Sequence, residues 1–322
     1  MPNNLTDFAN VTPLWLVGAG PMAVEYAKVL ISLQYPFLVI GRGAVSAKDF
    51  ESAVGVPVER GGLDLAIRNK IPCQKAIIAT GVEQLASNAC SLIEAGTQKI
   101  LVEKPGGLNG SEIRNVYKLG TKYNCEVFMG YNRRFYSSVE RAQEIIRHDG
   151  GVSSFHFEFT EWSHLIRDLK KASGVKEHWF LANSSHVVDL AFYLGGIPGT
   201  LDTHVTGKLD WHPSGSRFFG SGVTSKQVPF SYLADWTAPG RWRVEILTQK
   251  SRLIFCPLEK LQIQFLGSVE IQNVDLEDEI DLQYKPGLYM QVKAFLNSDP
   301  RLCTIAQQHD LLTFYEKMAN YI

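Results

Sequence analysis

LWLVGAGPMA, residues 14–23, joins a short apolar run to a segment of helical periodicity through a turn that contains two glycines. Gly18 permits the tight turn, Gly20 lets the backbone approach a bound group closely, and the final alanine lets helix and strand pack together. A helix that starts after such a turn offers backbone N–H groups to phosphate. The pattern therefore predicts a dinucleotide-binding turn formed by Gly18, Gly20, Pro21 and Met22.

Outward from this turn, apolar runs of strand length alternate with segments of helical periodicity as far as residue 129. The further runs are 36–40, 75–80, 99–102 and 125–129, and the helical segments are 22–33, 83–95 and 110–123. The region 45–70 is less regular, and we expect a weak third strand near 56–58. This alternation is typical of a doubly wound parallel sheet, so an N-terminal Rossmann domain is expected over residues 1–125.

The second half of the chain has a different pattern. Phe155, Phe157 and Phe159 alternate with polar residues, as in a strand with one buried face. Further strand-like runs follow at 228–236, 242–248, 251–255 and 261–266, and a helical segment at 306–322 closes the chain. Consecutive strands predict a large open, mostly antiparallel sheet, and hence a C-terminal α+β substrate domain over residues 126–322.

Composition limits the kinds of partner. The 322 residues are 45% hydrophobic and 20% charged, and 32 basic residues nearly balance 33 acidic ones, giving a net charge of -1. We therefore expect neither nucleic acid nor membrane as a partner. The five scattered cysteines fit no disulfide framework, and the histidines show no metal-ligand spacing, so we predict no metal. With no secretory signal expected in residues 1–10 and no apolar run of membrane-spanning length, a cytoplasmic location is expected.

The end of the second apolar run bears on the choice of cofactor. NAD-binding turns usually place a carboxylate there, to bond the ribose 2′-hydroxyl. Here the sequence is Ile40-Gly41-Arg42-Gly43, with no carboxylate before Asp49. Because a guanidinium suits a 2′-phosphate, NADP is favoured over NAD, with Gly41, Arg42 and Gly43 as cofactor contacts. The alternative is an exposed arginine in a turn.

A lysine follows the run 99–102, in the sequence Glu103-Lys104-Pro105. Ligands of open α/β sheets bind outside the carboxyl ends of the strands, so Lys104 is expected to reach the ligand cleft. The proline restricts the preceding residue to extended geometry. The alternative is a surface lysine before a turn.

Together with this lysine, the segments GYNRRF (130–135) and SHVVDL (185–190) resemble the Gfo/Idh/MocA oxidoreductases, named for glucose-fructose oxidoreductase and inositol dehydrogenase. The resemblance runs nearly end to end. It implies a Rossmann domain followed by an open-faced sheet that often serves for homo-oligomerisation. It also implies hydride exchange between NAD(P) and a carbinol or keto carbon of a sugar or nucleotide sugar.

The resemblance also implies roles for particular residues. Lys104 and His186 are the candidate catalytic residues, and residues 131–134 are expected to line the junction of the two domains. Further cofactor contacts are assigned to Thr80, Glu103, Lys104 and Arg133, and substrate contacts to Lys104, Tyr131, Arg134, Asn183 and His186.

The chemistry of alcohol oxidation agrees with these roles. A hydride leaves carbon only if the neighbouring hydroxyl proton departs as well, which requires a base and a donor to the oxygen. His186 can take a proton near neutral pH, and Lys104 can donate to the oxygen or act as base if burial lowers its pKa. The alternative for His186 is a core histidine on an apolar helix.

The sequence departs from the family pattern at Ala182, where a carboxylate four residues before the histidine is common. Asn183 could orient a substrate hydroxyl instead, His178 could contribute, and Asp189 could fix the orientation of the His186 ring.

Two other functions remain open at this point. The first is an NAD-dependent glycoside hydrolase that oxidises and re-reduces the same sugar. The second is a catalytically silent dinucleotide-binding sensor. The aromatic and basic segment 236–243 could border a phosphate-bearing substrate, although a pair of antiparallel strands joined by a Pro-Gly turn is the simpler interpretation.

Overall fold

The computed structural model describes residues 12–322, which form two compact units. The first unit comprises the described part of Met1–Gly107 together with Ser111–Gly130 and Leu288–Ala306. The second comprises Leu108–Gly110, Tyr131–Gly287 and Gln307–Ile322. Residues 1–10, where no secretory signal is expected, lie outside the described residues.

The first unit contains an open sheet of seven strands. Numbered in chain order through the whole protein, they are β1 (Leu14–Val17), β2 (Phe37–Ile40), β3 (Val58–Glu59), β4 (Lys75–Ile78), β5 (Lys99–Val102), β6 (Glu126–Met129) and β15 (Cys303–Thr304). Their order is β15-β6-β5-β4-β1-β2-β3, and all pairs are parallel except β15 with β6. The order 3-2-1-4-5-6 is that of a Rossmann fold, so this expectation is confirmed.

Helices connect these strands, as parallel pairing requires. They are α1 (Pro21–Ser32), α2 (Ala44–Val54), α3 (Leu63–Asn69), α4 (Val82–Glu94), α5 (Gly110–Tyr123) and α10 (Leu288–Asn297). The irregular region 45–70 is mainly α2 and α3, and its short strand lies at Val58–Glu59, slightly after the predicted position. None of the helices in residues 12–322 has the length and apolar character needed to cross a membrane.

The boundary between the units differs from the expected one at 125/126. Strand β6 belongs to the first unit, because it pairs along its whole length with β5. Residues of α10 and β15 also return to this unit: α10 packs on α1, and β15 extends the sheet beside β6. The first unit is therefore built from segments that are far apart in the chain.

The second unit contains an open sheet of eight strands. They are β7 (Ser154–Glu158), β8 (Pro198–Thr206), β9 (Arg217–Thr224), β10 (Pro229–Asp235), β11 (Arg243–Leu247), β12 (Ser251–Phe255), β13 (Gln262–Phe265) and β14 (Gln272–Asn273). Their order is β14-β13-β12-β11-β7-β10-β9-β8, and only the pair β7 and β10 is parallel. The expected mostly antiparallel sheet is therefore confirmed.

The interpretation of residues 236–243 as the turn of a strand pair is wrong. Strands β10 and β11 do not pair with each other, because β7 lies between them. The connecting segment therefore crosses over the end of β7.

The second unit also contains helices, of which the one that carries His186 packs on β7 and β11 of the sheet. They are α6 (Ser137–His148), α7 (Ser163–Ile166), α8 (Ser185–Gly195), α9 (Glu279–Gln283) and α11 (Ile305–Ala319), with a 3-10 turn at Asn132–Phe135 and a π-helical turn at Phe180–Ser184. The buried face of β7 presents Phe155 and Phe157, which contact Phe192 of α8 at centroid distances of 6.2 and 5.6 Å. This packing fixes α8, and therefore the histidine near its start, against the sheet.

Candidate active site

In the first unit, Gly18 brings the ends of three strands together. Its N–H donates to the Ile40 carbonyl of β2 at 2.8 Å. A Cβ at this position would lie 2.5 Å from the carbonyl oxygen of Ala79, just after β4, and φ is +123°. Only glycine fits this conformation and this contact, so the turn closes at the point where the strand order reverses.

Gly20 leaves open space for a ligand at the turn. It is the N-cap of α1, with φ -89°, and a Cβ built on it meets nothing within 4 Å. Among residues 12–322, no side chain caps this helix end. Because Pro21 has no N–H, the first donors of the helix are those of Met22 and the residue after it. Open space at a helix N-terminus is what a pyrophosphate needs, so Gly18, Gly20, Pro21 and Met22 fit a dinucleotide.

Arg42 stands beside this turn, at the end of β2. Its neighbour Gly41 packs so closely that a Cβ there would lie 3.2 Å from the Cβ of Ala19. The N–H of Gly62 donates to the Gly41 carbonyl at 3.0 Å, and Gly43 is the N-cap of α2. Arg42 itself is exposed, which leaves its guanidinium accessible to a phosphate group.

The ends of β4 and β5 carry the remaining predicted contacts of this unit. Lys104 is half-buried and is followed by Pro105 across a cis peptide bond. The Glu103 carboxylate accepts a hydrogen bond from the Tyr26 hydroxyl at 2.7 Å. Burial, together with the charge of Glu103, raises the pKa of Tyr26 well above its usual range. The Thr80 hydroxyl accepts from the side-chain amide of Asn88 at 3.2 Å.

In the second unit, His186 lies in the first turn of α8 and is buried. Its ring lies 6.0 Å from that of Tyr131 and 6.1 Å from that of Trp242, measured between centroids. The Tyr131 hydroxyl donates to the side chain of Gln308 at 3.2 Å. The guanidinium of Arg133 lies 4.7 Å from the centre of the Trp242 ring. The structure thus brings Arg133 and His186 together beside Trp242, and places Tyr131 against the His186 ring.

The carboxylate of Glu161, which was not predicted from the sequence, lies beside the turn that leads into α8. Glu161 follows β7, and only 1% of its side chain is exposed. It accepts hydrogen bonds from the Asn183 amide at 2.9 Å, the Ser184 hydroxyl at 2.8 Å and the Arg241 guanidinium at 3.0 Å. Burial raises the pKa of Glu161, and these three donors oppose that rise.

Glu161 thus bonds the two residues that directly follow Ala182, the position where the sequence lacks the expected carboxylate. The available sequence signal was an acidic residue shortly after the strand that carries Phe155 and Phe157, comparable to the position of Lys104 shortly after β5.

Asp189 has a different partner from the one expected. Its two carboxylate oxygens accept from Nε and an Nη of Arg134 at 2.8 and 2.6 Å. The two side chains are 1% and 7% exposed. This bidentate pair links the 3-10 turn Asn132–Phe135 to α8 through Nε and one Nη of Arg134, and the expected contact of Arg134 with substrate stays a prediction.

Within residues 12–322, no group of three or more His, Cys, Asp or Glu side chains could hold a metal ion. The candidate functional groups fall in two places. The first unit has a glycine-rich sheet edge that also carries Arg42 and Lys104. The second unit has His186 with its aromatic neighbours, and the buried carboxylate of Glu161.

Neither a protein-family model nor a curated protein matches the sequence. Solved structures do resemble it. UDP-N-acetylglucosamine 3-dehydrogenase from Acidithiobacillus ferrooxidans is 15% identical with a TM-score of 0.71, covering 94% of this chain and 95% of that one.

Levoglucosan dehydrogenase in complex with NADH and levoglucosan is 15% identical with a TM-score of 0.76, over 97% and 98% of the two chains. A putative NADPH-dependent oxidoreductase from Desulfitobacterium hafniense is 14% identical with a TM-score of 0.77, over 96% and 95%. The chain thus shares the fold of sugar dehydrogenases and NAD-binding oxidoreductases, the Gfo/Idh/MocA fold that the sequence motifs led us to expect.

Proposed function

We propose that the protein is an NAD(P)-dependent oxidoreductase that moves a hydride between nicotinamide and a carbinol or keto carbon of a sugar. The observation that carries this proposal is the open space above Gly20, at the N-terminus of α1 in a sheet of Rossmann order. Two structures with the same fold support the substrate class, since one is a UDP-N-acetylglucosamine 3-dehydrogenase and the other a levoglucosan dehydrogenase in complex with levoglucosan.

The proposed cofactor is NADP, with NAD as the alternative. Gly18, Gly20, Pro21 and Met22 would hold the pyrophosphate. The exposed guanidinium of Arg42 would hold a 2′-phosphate, because it offers several charge-assisted donors. Structures of the same fold include one described as NADPH-dependent and one in complex with NADH, so the preference for NADP rests on Arg42.

The proposed chemistry uses one group from each unit. When bound, the nicotinamide accepts or returns the hydride of the reacting carbon. Lys104 donates to the oxygen of that carbon, which stabilises negative charge as the proton leaves. His186 takes the hydroxyl proton during oxidation and returns it during reduction.

Lys104 and His186 can be tested together with controls. In assays that follow reduced nicotinamide near 340 nm over a panel of sugars, His186→Ala is expected to lower kcat by about 10²–10⁴-fold with cofactor affinity nearly kept. Lys104→Ala is expected to lower both kcat and the affinity for the cofactor. The exposed residues Lys118 and His148 provide the controls Lys118→Ala and His148→Ala. Full turnover by His186→Ala would contradict the proposed proton transfer.

We further propose that Glu161 acts as a positioning residue. Through Asn183 and Ser184 it holds the turn that leads into α8, in place of a carboxylate at position 182. Glu161→Gln is expected to lower kcat/KM for the sugar and to shift its pH profile, with the Kd for NADPH unchanged. If the pH profile of kcat/KM is the same in Glu161→Gln as in the wild type, Glu161 contributes to packing and does not position the catalytic groups.

A further inference from the structure

A groove of about 660 Å³ opens in the second unit beside Glu161. Its walls include Trp162, Trp211 and Trp236, with polar side chains such as Ser163 and Asp210 between them. The volume lies within the range of about 300–1,000 Å³ that is typical of small-molecule sites. The function proposed above does not use this groove.

The indole rings are held in place by protein contacts alone. Trp162 is 44% exposed, and its Nε1 donates to the Gly240 carbonyl at 3.0 Å. Trp211 stacks on the buried Trp236 at a centroid distance of 5.7 Å and an interplanar angle of 7°, and its Nε1 donates to the Ser163 hydroxyl at 3.3 Å. Because these contacts already order the rings, binding of a ligand to them costs little additional side-chain entropy.

The combination of surfaces favours a sugar ring. A pyranose presents C–H bonds on its faces and hydroxyls around its rim. The faces can pack on an indole, and the hydroxyls can bond the exposed carboxylate of Asp210 and the hydroxyl of Ser163.

The charges of the groove weigh against a nucleotide diphosphate. Arg241, whose guanidinium lies 4.8 Å from the centre of the Trp162 ring, donates to the buried carboxylate of Glu161. Arg167, which also lines the groove, pairs with Asp168 at 3.1 Å. Both arginines thus already bond a carboxylate, so the groove offers a diphosphate less positive charge than two unpaired arginines would.

Glu161 connects the groove to the histidine of the same unit. It lines the groove, and it also accepts hydrogen bonds from Asn183 and Ser184, immediately before α8 and His186. We propose that the groove is a subsite for a second pyranose ring, so that the substrate is a disaccharide or glycoside rather than a nucleotide sugar. This assignment of a second ring depends on the proposed sugar oxidoreductase function.

The test is a binding measurement on the full chain without cofactor. Saturation-transfer NMR and tryptophan fluorescence titrations would compare glucose with cellobiose and maltose. At least one disaccharide is expected to bind more tightly than glucose. Trp162→Ala is expected to weaken that disaccharide by about tenfold or more, whereas Trp162→Phe retains most of the affinity. Asp210→Asn, a change to an exposed side chain, is expected to weaken it as well.

Leu165→Ala is the matched control, because Leu165 lies on α7 next to the groove, is 53% exposed and does not line it. It should bind like the wild type. The subsite is refuted if neither disaccharide binds more tightly than glucose, or if Trp162→Ala leaves the preference intact. It is also refuted if Trp162→Ala changes the sedimentation coefficient, since the groove would then be a contact between copies. Disaccharide binding without turnover of nicotinamide would instead refute the redox function and leave the binding site in place.

Discussion

Individual residues determine which groups can meet at the edge of the first sheet. Gly18, with φ +123°, and Gly41, whose Cβ would lie 2.7 Å from Val58, allow contacts that no side chain would permit. Such positions can be predicted from sequence, because the motif is local and glycine has a single steric reason to be there. Glu161 was missed because its partners lie 22, 23 and 80 positions away.

His212 gives a prediction about pH. Its Nδ1 lies 2.8 Å from the Gly215 carbonyl and its Nε2 lies 2.9 Å from the Tyr321 hydroxyl. Burial lowers the pKa of His212 from 6.5 to about 4. Between these two pKa values, His212 is protonated in the unfolded chain and neutral in the folded chain. As pH falls from about 6.5 to 4, the free energy of unfolding should decrease by about 3 kcal/mol from this group.

Denaturant titrations across this pH range would check the effect. His212→Gln should make the free energy of unfolding less dependent on pH, even if the variant is less stable than the wild type at pH 7. His164→Gln, which alters an exposed side chain, should keep the wild-type dependence. A full slope in His212→Gln would show that another group is responsible.

At the scale of elements, periodicity predicted the strands and helices whose buried faces are continuous. Strand β1 and helix α5 have the predicted bounds. Strand β8 was missed because it is an edge strand with only one fully buried residue, and its half-buried face has only Leu201 and Val205 as apolar residues, which leaves a weak alternation. Helix α2 was missed for a similar reason, since it buries only Ala47 and Phe50.

The ion pair between Arg134 and Asp189 connects two of these elements, and sequence spacing could not reveal it. Because removal of one partner leaves a buried charge, Arg134→Met should lower the free energy of unfolding by about 3–5 kcal/mol. The double variant Arg134→Met/Asp189→Leu should recover part of that loss.

Arg141→Met is the control in the same denaturation experiment. Arg141 and Glu144 form a pair whose side chains are 49% and 54% exposed, so its loss should cost less than about 1 kcal/mol. An Arg134→Met protein as stable as the wild type would contradict the structural role of the pair, and a loss of sugar affinity alone would support the substrate contact expected from the sequence.

At the scale of the whole molecule, the sequence predicted two units with different sheets, and the structure has both. It could not predict the return of residues 288–306 to the first unit, because β15 meets β6 across more than 170 residues and has only two residues of its own. The expected homo-oligomer stays a prediction. Phe219 and Leu233, 40% and 50% exposed on strands β9 and β10, are consistent with a surface that could pair with another copy.

Dinucleotide binding tests the central claim most directly, by fluorescence titration of the full chain with NADPH and NADH. The wild type should bind, with NADPH preferred, and Arg42→Ala should weaken NADPH by about tenfold or more while leaving NADH unchanged. Gly20→Val should abolish binding of both at an unchanged Tm, because its side chain would fill only open space. A wild type that binds neither dinucleotide, or a Gly20→Val protein that binds them normally, would contradict the account.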